Sequence, residues 1–128
     1  MRLLLDTCTF LWIIGGSHEL SPKAREVFTD PANEAFLSAA SAWEIAVKNR
    51  LGRLPLPSKP AMFVPAQRTA HGIESLALDE EAALHVARLP EIHRDPFDRM
   101  LVAQAIVGGL VLLTPDDHIR DYPVRTLW

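Results

Sequence analysis

Short apolar runs recur along this chain, and helix-like segments separate them. Leu3-Leu4-Leu5, Ala35-Phe36-Leu37 and Leu110-Val111-Leu112-Leu113 are each brief, continuous and closed by a polar residue. Runs of this kind suit strands buried on both faces, as in a parallel sheet. Ile73 to Leu78 alternates apolar and polar residues and reads as a further strand, and Val124 to Leu127 as a last, edge strand. Between them lie helix signals. Phe10 to Ile14 stops at Gly15-Gly16, and Ser21-Pro22 pairs an N-cap with a first-turn proline for a helix reaching about Asp30-Pro31. A helix is expected from about Ala40 to Leu51, closed by Gly52. Another spans Ala61 to His71 after the loop marked by Pro55, Pro57 and Pro60, with Gly72 as its stop. Asp79 caps a segment to about Arg88, Pro90 to Pro96 is a loop, and Phe97 to Val107 is the clearest helix, ended by Gly108-Gly109. Strands alternating with helices predict an α/β fold, a parallel sheet covered on both faces. The 128 residues suit one domain, residues 1–128. A chain of that length buries roughly two thirds of its unfolded surface, enough for a core without staples.

On such a sheet, four acids fall at one edge. Asp6 follows Leu3-Leu4-Leu5, and Asp116 follows Leu110 to Thr114. Glu44 lies just after Ala35-Phe36-Leu37, and Asp98 opens the apolar pattern from Met100 to Val107. Ligands of open α/β sheets bind beyond the carboxyl ends of the strands. Carboxylates gathered there repel and desolvate one another unless a hard divalent cation lies between them.

Each acid also has a local structural reading. Asp6 suits an N-cap for a helix starting at Thr7. Ser41-x-x-Glu44 fits a capping box, and Glu44 with Lys48 an i,i+4 ion pair. Asp116 and Asp117 suit a turn after Pro115, which leaves open which of the two serves as the fourth acid. Asp98 is harder to place structurally. Its i+3, i+4 and i+7 neighbours are Leu101, Val102 and Ala105, so it points along an apolar stripe where a lone carboxylate is expensive. Asp95, before Pro96, reads as a loop or cap residue.

Composition narrows the function classes. Hydrophobic residues make up 48% of the chain, which excludes a disordered protein. The formal charge of −3 is not the balance of a protein that grips duplex DNA broadly, although setting four acids aside in a pocket leaves +1 for the rest. Lys48, Arg50, Arg53, Arg94 and Arg99 are the candidate phosphate partners. The single cysteine, Cys8, rules out an internal disulfide and points to a reducing, cytoplasmic location. Asp6 interrupts the first apolar run, so no signal peptide is expected, and no run of about 18 apolar residues calls for a membrane. The five histidines show no zinc spacing, and there is no Gly-rich phosphate loop. An all-oxygen cluster favours Mg²⁺ or Mn²⁺, ions that activate water or hold the two oxygens of a phosphoryl displacement. Phe97 to Val107 has only Asp98, Arg99 and Gln104 as polar breaks, so that helix is either buried all round or part of an oligomer interface.

Four segments together resemble PIN-domain ribonucleases of the VapC toxin type. They are Leu3-Leu4-Leu5-Asp6-Thr7; Ser41-Ala42-Trp43-Glu44-Ile45 with Lys48 and Gly52-Arg53-Leu54; Asp95-Pro96-Phe97-Asp98-Arg99 running on to Ala105; and Leu112-Leu113-Thr114-Pro115-Asp116. The resemblance implies a three-layer α/β/α sandwich and metal-dependent endonucleolytic cleavage of RNA. It makes Asp6, Glu44 and Asp98 a metal-binding triad with Asp116 as a fourth acid, and puts Thr7 and Thr114 beside them. It implies a small antitoxin protein as partner. The apolar surface of Phe10 to Ile14 and Phe97 to Val107 adds the expectation of a homodimer. Two rivals stand beside this reading: a metal-dependent phosphatase with an aspartyl nucleophile at Asp6, weakened by Cys8 where a second Asp is wanted, and a non-catalytic PIN-like module that binds RNA or protein.

Overall fold

The computed structural model describes all of residues 1–128 and holds five parallel strands in one sheet. In chain order the elements are β1 (Arg2–Leu5), α1 (Thr7–Gly15), α2 (Pro22–Thr29), β2 (Glu34–Ser38), α3 (Ala39–Arg50), α4 (Pro60–Ala70), β3 (Ile73–Leu76), α5 (Glu80–His85), α6 (Pro96–Gly108), β4 (Val111–Leu113), α7 (Asp117–Arg120) and β5 (Thr126–Leu127). A single 3-10 turn, Val86–Arg88, follows α5. The strand order is β3-β2-β1-β4-β5. The chain thus builds outward from β1 in one direction, then returns to the other side of β1. The gap between the ends of β1 and β4 is therefore the switch point where an α/β sheet opens a crevice.

Side-chain alternation divides the core into layers. Leu4 and its register partner Leu112 face the layer holding Leu101, Val102, Ala103 and Ala105 of α6, with Ile119 and Tyr122. Leu5 and Leu113 face the opposite layer, with Phe10 of α1, Ala24 of α2, Ile45 of α3 and Val64 of α4. The continuous apolar runs are explained by this: both faces of β1 and β4 are covered. α6 packs into the first layer, and no residue from Phe97 to Val107 is exposed. The helix is buried within its own chain over residues 101–105 and partly exposed at both ends. Leu101, Val102, Ala103 and Ala105 are buried in the core, while Phe97, Met100, Ile106 and Val107 stay partly exposed.

Several boundaries differ from the sequence expectation, each for a physical reason. β3 ends at Leu76 instead of Leu78 because its partner β2 ends at the matching Ser38. β5 is only Thr126–Leu127 because β4 offers only Leu112 and Leu113 for pairing. The segment before it turns, with the Val124 amide bonded to the Tyr122 carbonyl at 2.7 Å. α3 is capped by Ser38, whose hydroxyl accepts from the Ala40 amide at 3.0 Å. Ser41 and Glu44 are therefore inside the helix, and the expected capping box does not form. α7 was not expected at all. It is a single turn, too short to show a hydrophobic period. Gly16 and Gly109 end α1 and α6 at φ 62° and 65°, the left-handed conformation that glycine adopts without strain.

Candidate active site

The site is assembled at the carboxyl edge of the sheet, starting from the switch point. Asp6 leaves β1 and caps α1, its Oδ1 accepting the Thr9 amide at 2.8 Å. Its Oδ2 accepts the hydroxyl of Thr114 at the end of β4. Thr9 Oγ1 donates to the Leu113 carbonyl at 2.9 Å, a second tie between α1 and β4. Asp6 is only 4% exposed and Thr114 is fully buried. The capping role and the edge position expected of Asp6 both hold, since one carboxylate oxygen serves each.

Glu44 arrives from α3, whose start is fixed at the end of β2 by the Ser38 cap. Thr7 Oγ1 donates to Glu44 Oε1 at 2.6 Å, and Lys48 Nζ donates to Oε2 at 2.5 Å. The i,i+4 ion pair read from the sequence is present. Hydrogen bonding to Glu44 raises the Lys48 pKa, against a smaller opposing effect of burial. Thr7 also reaches the buried Ser41 Oγ at 3.0 Å, so a hydroxyl pair braces the first turns of α1 and α3 together. Deeper in, Ser38 Oγ donates to Gln104 Oε1 at 2.5 Å, and Gln104 Nε2 reaches the Ala77 carbonyl at 3.2 Å. The polar break at Gln104 thus locks α6 to the ends of β2 and β3.

Asp98 stands in the first turn of α6. Asp95 is the cap, its Oδ1 accepting the Phe97 and Asp98 amides at 2.9 and 3.0 Å, as its place before Pro96 indicated. Asp98 Oδ2 lies 3.1 Å from His93 Nε2. The Asp98 carboxyl is pushed up to about 6, chiefly by burial. Within that balance His93 pulls it down, while Asp95 and Asp116 add to the rise. Asp116 caps α7 through its Oδ1 and the His118 amide at 2.8 Å. Asp117 points away, with a side chain 91% exposed and paired to Arg120. Geometry therefore separates the two neighbours: Asp116 faces the other acids and Asp117 does not.

All four acids line one cavity of about 360 Å³, together with Thr7, Cys8, Lys48, Arg53 and Asp95. Five carboxylates there face two cations. The excess of negative charge in a half-enclosed space creates a demand for a cation. Every donor is an oxygen, which suits a hard ion such as Mg²⁺ or Mn²⁺. As the side chains stand, no three of the acidic, histidine or cysteine groups lie close enough to ligate one ion together. Each acid is engaged by a partner of its own: Glu44 by Lys48, Asp98 by His93 and Asp6 by Thr114. The chemistry of the donor set fits a divalent cation.

Of the candidate phosphate partners, Lys48 and Arg53 line the cavity. Arg50 is exposed elsewhere on α3, and Arg94 borders a neighbouring hollow with Glu91, His93 and Arg99. Arg99 is not free for a phosphate. It donates to the carbonyls of Pro90 and Val86 at 2.9 and 3.3 Å and to Tyr122 Oη at 3.0 Å, clamping the loop before α6. Cys8 donates to Asp6 Oδ1 at 3.2 Å, and burial with the Asp6 charge pushes its thiol pKa up, so it is a poor nucleophile. Sequence reasoning missed His93 and Tyr122 as neighbours of the site. Neither shows a diagnostic spacing, because a loop and not a helix face brings them in.

Residues 3–124 match the PIN domain family. The chain belongs to the PIN-domain family. It is 41% identical over 107 residues to a protein named Ribonuclease VapC16 from Mycobacterium tuberculosis, covering 82% of this chain and 70% of that one. Among solved structures, the DNA-bound VapBC2 complex of Rickettsia felis contains a chain that overlays with a TM-score of 0.71 at 12% identity, covering 99% and 98% of the two chains. A chain of DNA-bound VapBC from Salmonella typhimurium gives 0.71 at 19% identity, covering 99% and 97%. At such identities the likeness concerns the fold: the PIN-like α/β/α sandwich around a parallel sheet that the order of strands and helices predicts. No helix is long and apolar enough to cross a membrane.

Proposed function

We propose that this PIN-domain protein is a divalent-metal-dependent endoribonuclease acting as the toxin of a toxin–antitoxin pair. The observation that carries the reading is the arrival of Asp6, Glu44, Asp98 and Asp116, from four different elements, in one cavity. Structural needs alone would not send them there, since caps and ion pairs are satisfied at any helix end. In this reading the four acids hold Mg²⁺ or Mn²⁺. When bound, the ion supplies activation of water and neutralises charge developing at the phosphorus. The residues do the rest. Lys48, which pairs with Glu44 at 2.5 Å, and Arg53 on the same cavity lining are the positive groups that would meet the oxygens of a bound phosphate. No side chain is required as nucleophile, which accords with the raised thiol pKa of Cys8.

Single-stranded RNA is the substrate this reading favours. Trp43, next to Glu44, is 61% exposed and meets Phe97, next to Asp98, edge-on at 5.1 Å between centroids. An exposed aromatic of this kind suits stacking of an unpaired base, worth about 1–3 kcal/mol. The toxin reading draws on the relative named as a ribonuclease and on the VapBC complexes that share the fold. The partner would be a small antitoxin placing a basic side chain among the carboxylates, where it pairs as the metal otherwise would. The test is cleavage of a single-stranded RNA by the purified protein. EDTA should stop it and Mg²⁺ or Mn²⁺ restore it, and expression of the chain alone should halt growth until the adjacent small reading frame is co-expressed. Binding of RNA without cleavage at any metal concentration would favour a non-catalytic module instead.

A further inference from the structure

Beside the acid pocket lies a hydrogen-bond chain with a defined direction. It begins at Arg99, whose Nη1 donates to Tyr122 Oη at 3.0 Å, with the guanidinium 5.8 Å from the centre of the phenol ring. Tyr122 Oη also receives the His93 backbone amide at 3.4 Å. A phenol oxygen has one proton to give, and here its acceptor capacity is already used. The nearest acceptor for that proton is His93 Nδ1, at 2.7 Å; the His93 carbonyl is farther, at 3.5 Å. Because an arginine side chain can only donate, the direction of the whole chain is fixed from its far end. His93 Nδ1 therefore accepts, and the proton of the neutral imidazole sits on Nε2, which faces Asp98 Oδ2 at 3.1 Å.

We propose that Arg99 and Tyr122 set the tautomer of His93 so that its Nε2–H holds one oxygen of Asp98, making His93 a positioning residue for the acid pocket. The ring is held in plane as well as in tautomer. His118 of α7 stacks on it at 5.3 Å with 16° between planes, and the amide of that same His118 bonds Asp116. One imidazole pair thus connects two acids that arrive on separate elements. Asp98 needs this help because it stands in the first turn of a helix, next to a loop, without the strand-end anchors that Asp6 enjoys. Pinning one oxygen leaves the other to face the cavity, and removes in advance the side-chain freedom that ligation would otherwise have to freeze. Tyr122 is 3% exposed and packs in the core, so its ring is a rigid platform for the arrangement.

The inference rests on the reading that Asp98 acts in the site, and two measurements keep the claims separate. The first is a long-range proton–nitrogen NMR spectrum of the metal-free protein at pH 8. It should show His93 protonated on Nε2 alone, and Tyr122→Phe should return it toward a mixture of tautomers. His93 protonated on Nδ1, or on both nitrogens, in the wild type overturns the relay whatever Asp98 does. The second is RNA cleavage. Tyr122→Phe, which keeps the ring and the packing, should lower kcat by about tenfold, the scale typical of outer partners of a metal site, with KM little changed. His93→Gln should retain more activity than His93→Ala, because an amide N–H can replace Nε2–H. Full kcat in Tyr122→Phe, or equal losses in the two His93 variants, overturns the positioning role. Wild-type cleavage by Asp98→Asn with the expected tautomer in place would instead remove the active-site reading of Asp98 and leave the relay as a property of the fold.

Discussion

Asp6 and Asp98 reach the same cavity by opposite means. Asp6 is held by the sheet: its backbone ends β1, its carboxylate takes the Thr9 amide and the Thr114 hydroxyl, and almost none of it meets solvent. Asp98 is held by a loop: its partner His93 comes from the segment before α6, and its side chain is 20% exposed. The first arrangement is as rigid as the core strands beneath it. The second depends on Arg99, Tyr122 and His93 staying in place. One wall is thus fixed by the sheet, while the other, the adjustable wall, is only as firm as the hydrogen-bond chain that holds it.

The largest effect expected is on cleavage itself. Asp6→Asn and Asp98→Asn should each reduce RNA cleavage by more than ~100-fold, beyond what losing an outer partner does. Their effects on the metal-free fold should diverge, which sharpens the contrast. Asp6→Asn should lower the melting temperature, because it weakens charge-assisted bonds at the switch point. Asp98→Asn should raise it. The carboxyl of Asp98 titrates at about 6 in the folded chain, above its ordinary 3.8, so its contribution to stability is full below about pH 3.8 and lost as pH rises through 6. The gain from Asp98→Asn should therefore be greatest above pH 7, at roughly 3 °C, and fade toward pH 4 in thermal melts. Equal and pH-independent shifts for the two variants would break the comparison.

Next in size is the support beneath Asp6. Thr114→Val removes a buried hydroxyl that donates to Asp6 and accepts the Asp116 amide at 3.1 Å. It should destabilise the chain by about 1–3 kcal/mol in denaturant unfolding, since it leaves a part-buried amide and a buried carboxylate oxygen short of partners. Metal binding should depend on pH through the adjustable wall. The stabilisation given by saturating Mg²⁺ should shrink as pH falls below about 6, where Asp98 takes up a proton in competition with the ion. The smallest effect is expected at Asp95. Asparagine caps helices as well as aspartate does, so Asp95→Asn should leave cleavage within about threefold.

How much of this was legible in the sequence follows the same division. The strand-end half was readable. Continuous apolar runs closed by Asp6 and Thr114 gave β1 and β4 nearly to the residue, because burial on both faces leaves no room for polar interruptions. Asp98 could be singled out because its helical neighbours are Leu101, Val102 and Ala105. The loop half was not readable. Nothing in the spacing of His93, Arg99 and Tyr122 announces a hydrogen-bond chain, since contacts made through loops leave no period. Ser41-x-x-Glu44 misled because a capping box resembles any Ser and Glu three apart, and the true cap, Ser38, was hidden in the end of a strand. The choice between Asp116 and Asp117 needed coordinates, as two adjacent turn residues differ only in direction.

The most direct measurement is the anomalous signal of Mn²⁺ in crystals of the wild-type protein. Density is expected within the cavity bounded by Asp6, Glu44, Asp98 and Asp116, with the Asp6 carboxylate little moved and the Glu44 side chain turned from Lys48. Manganese bound elsewhere, with this cavity empty in crystals of protein that cleaves RNA, would contradict it.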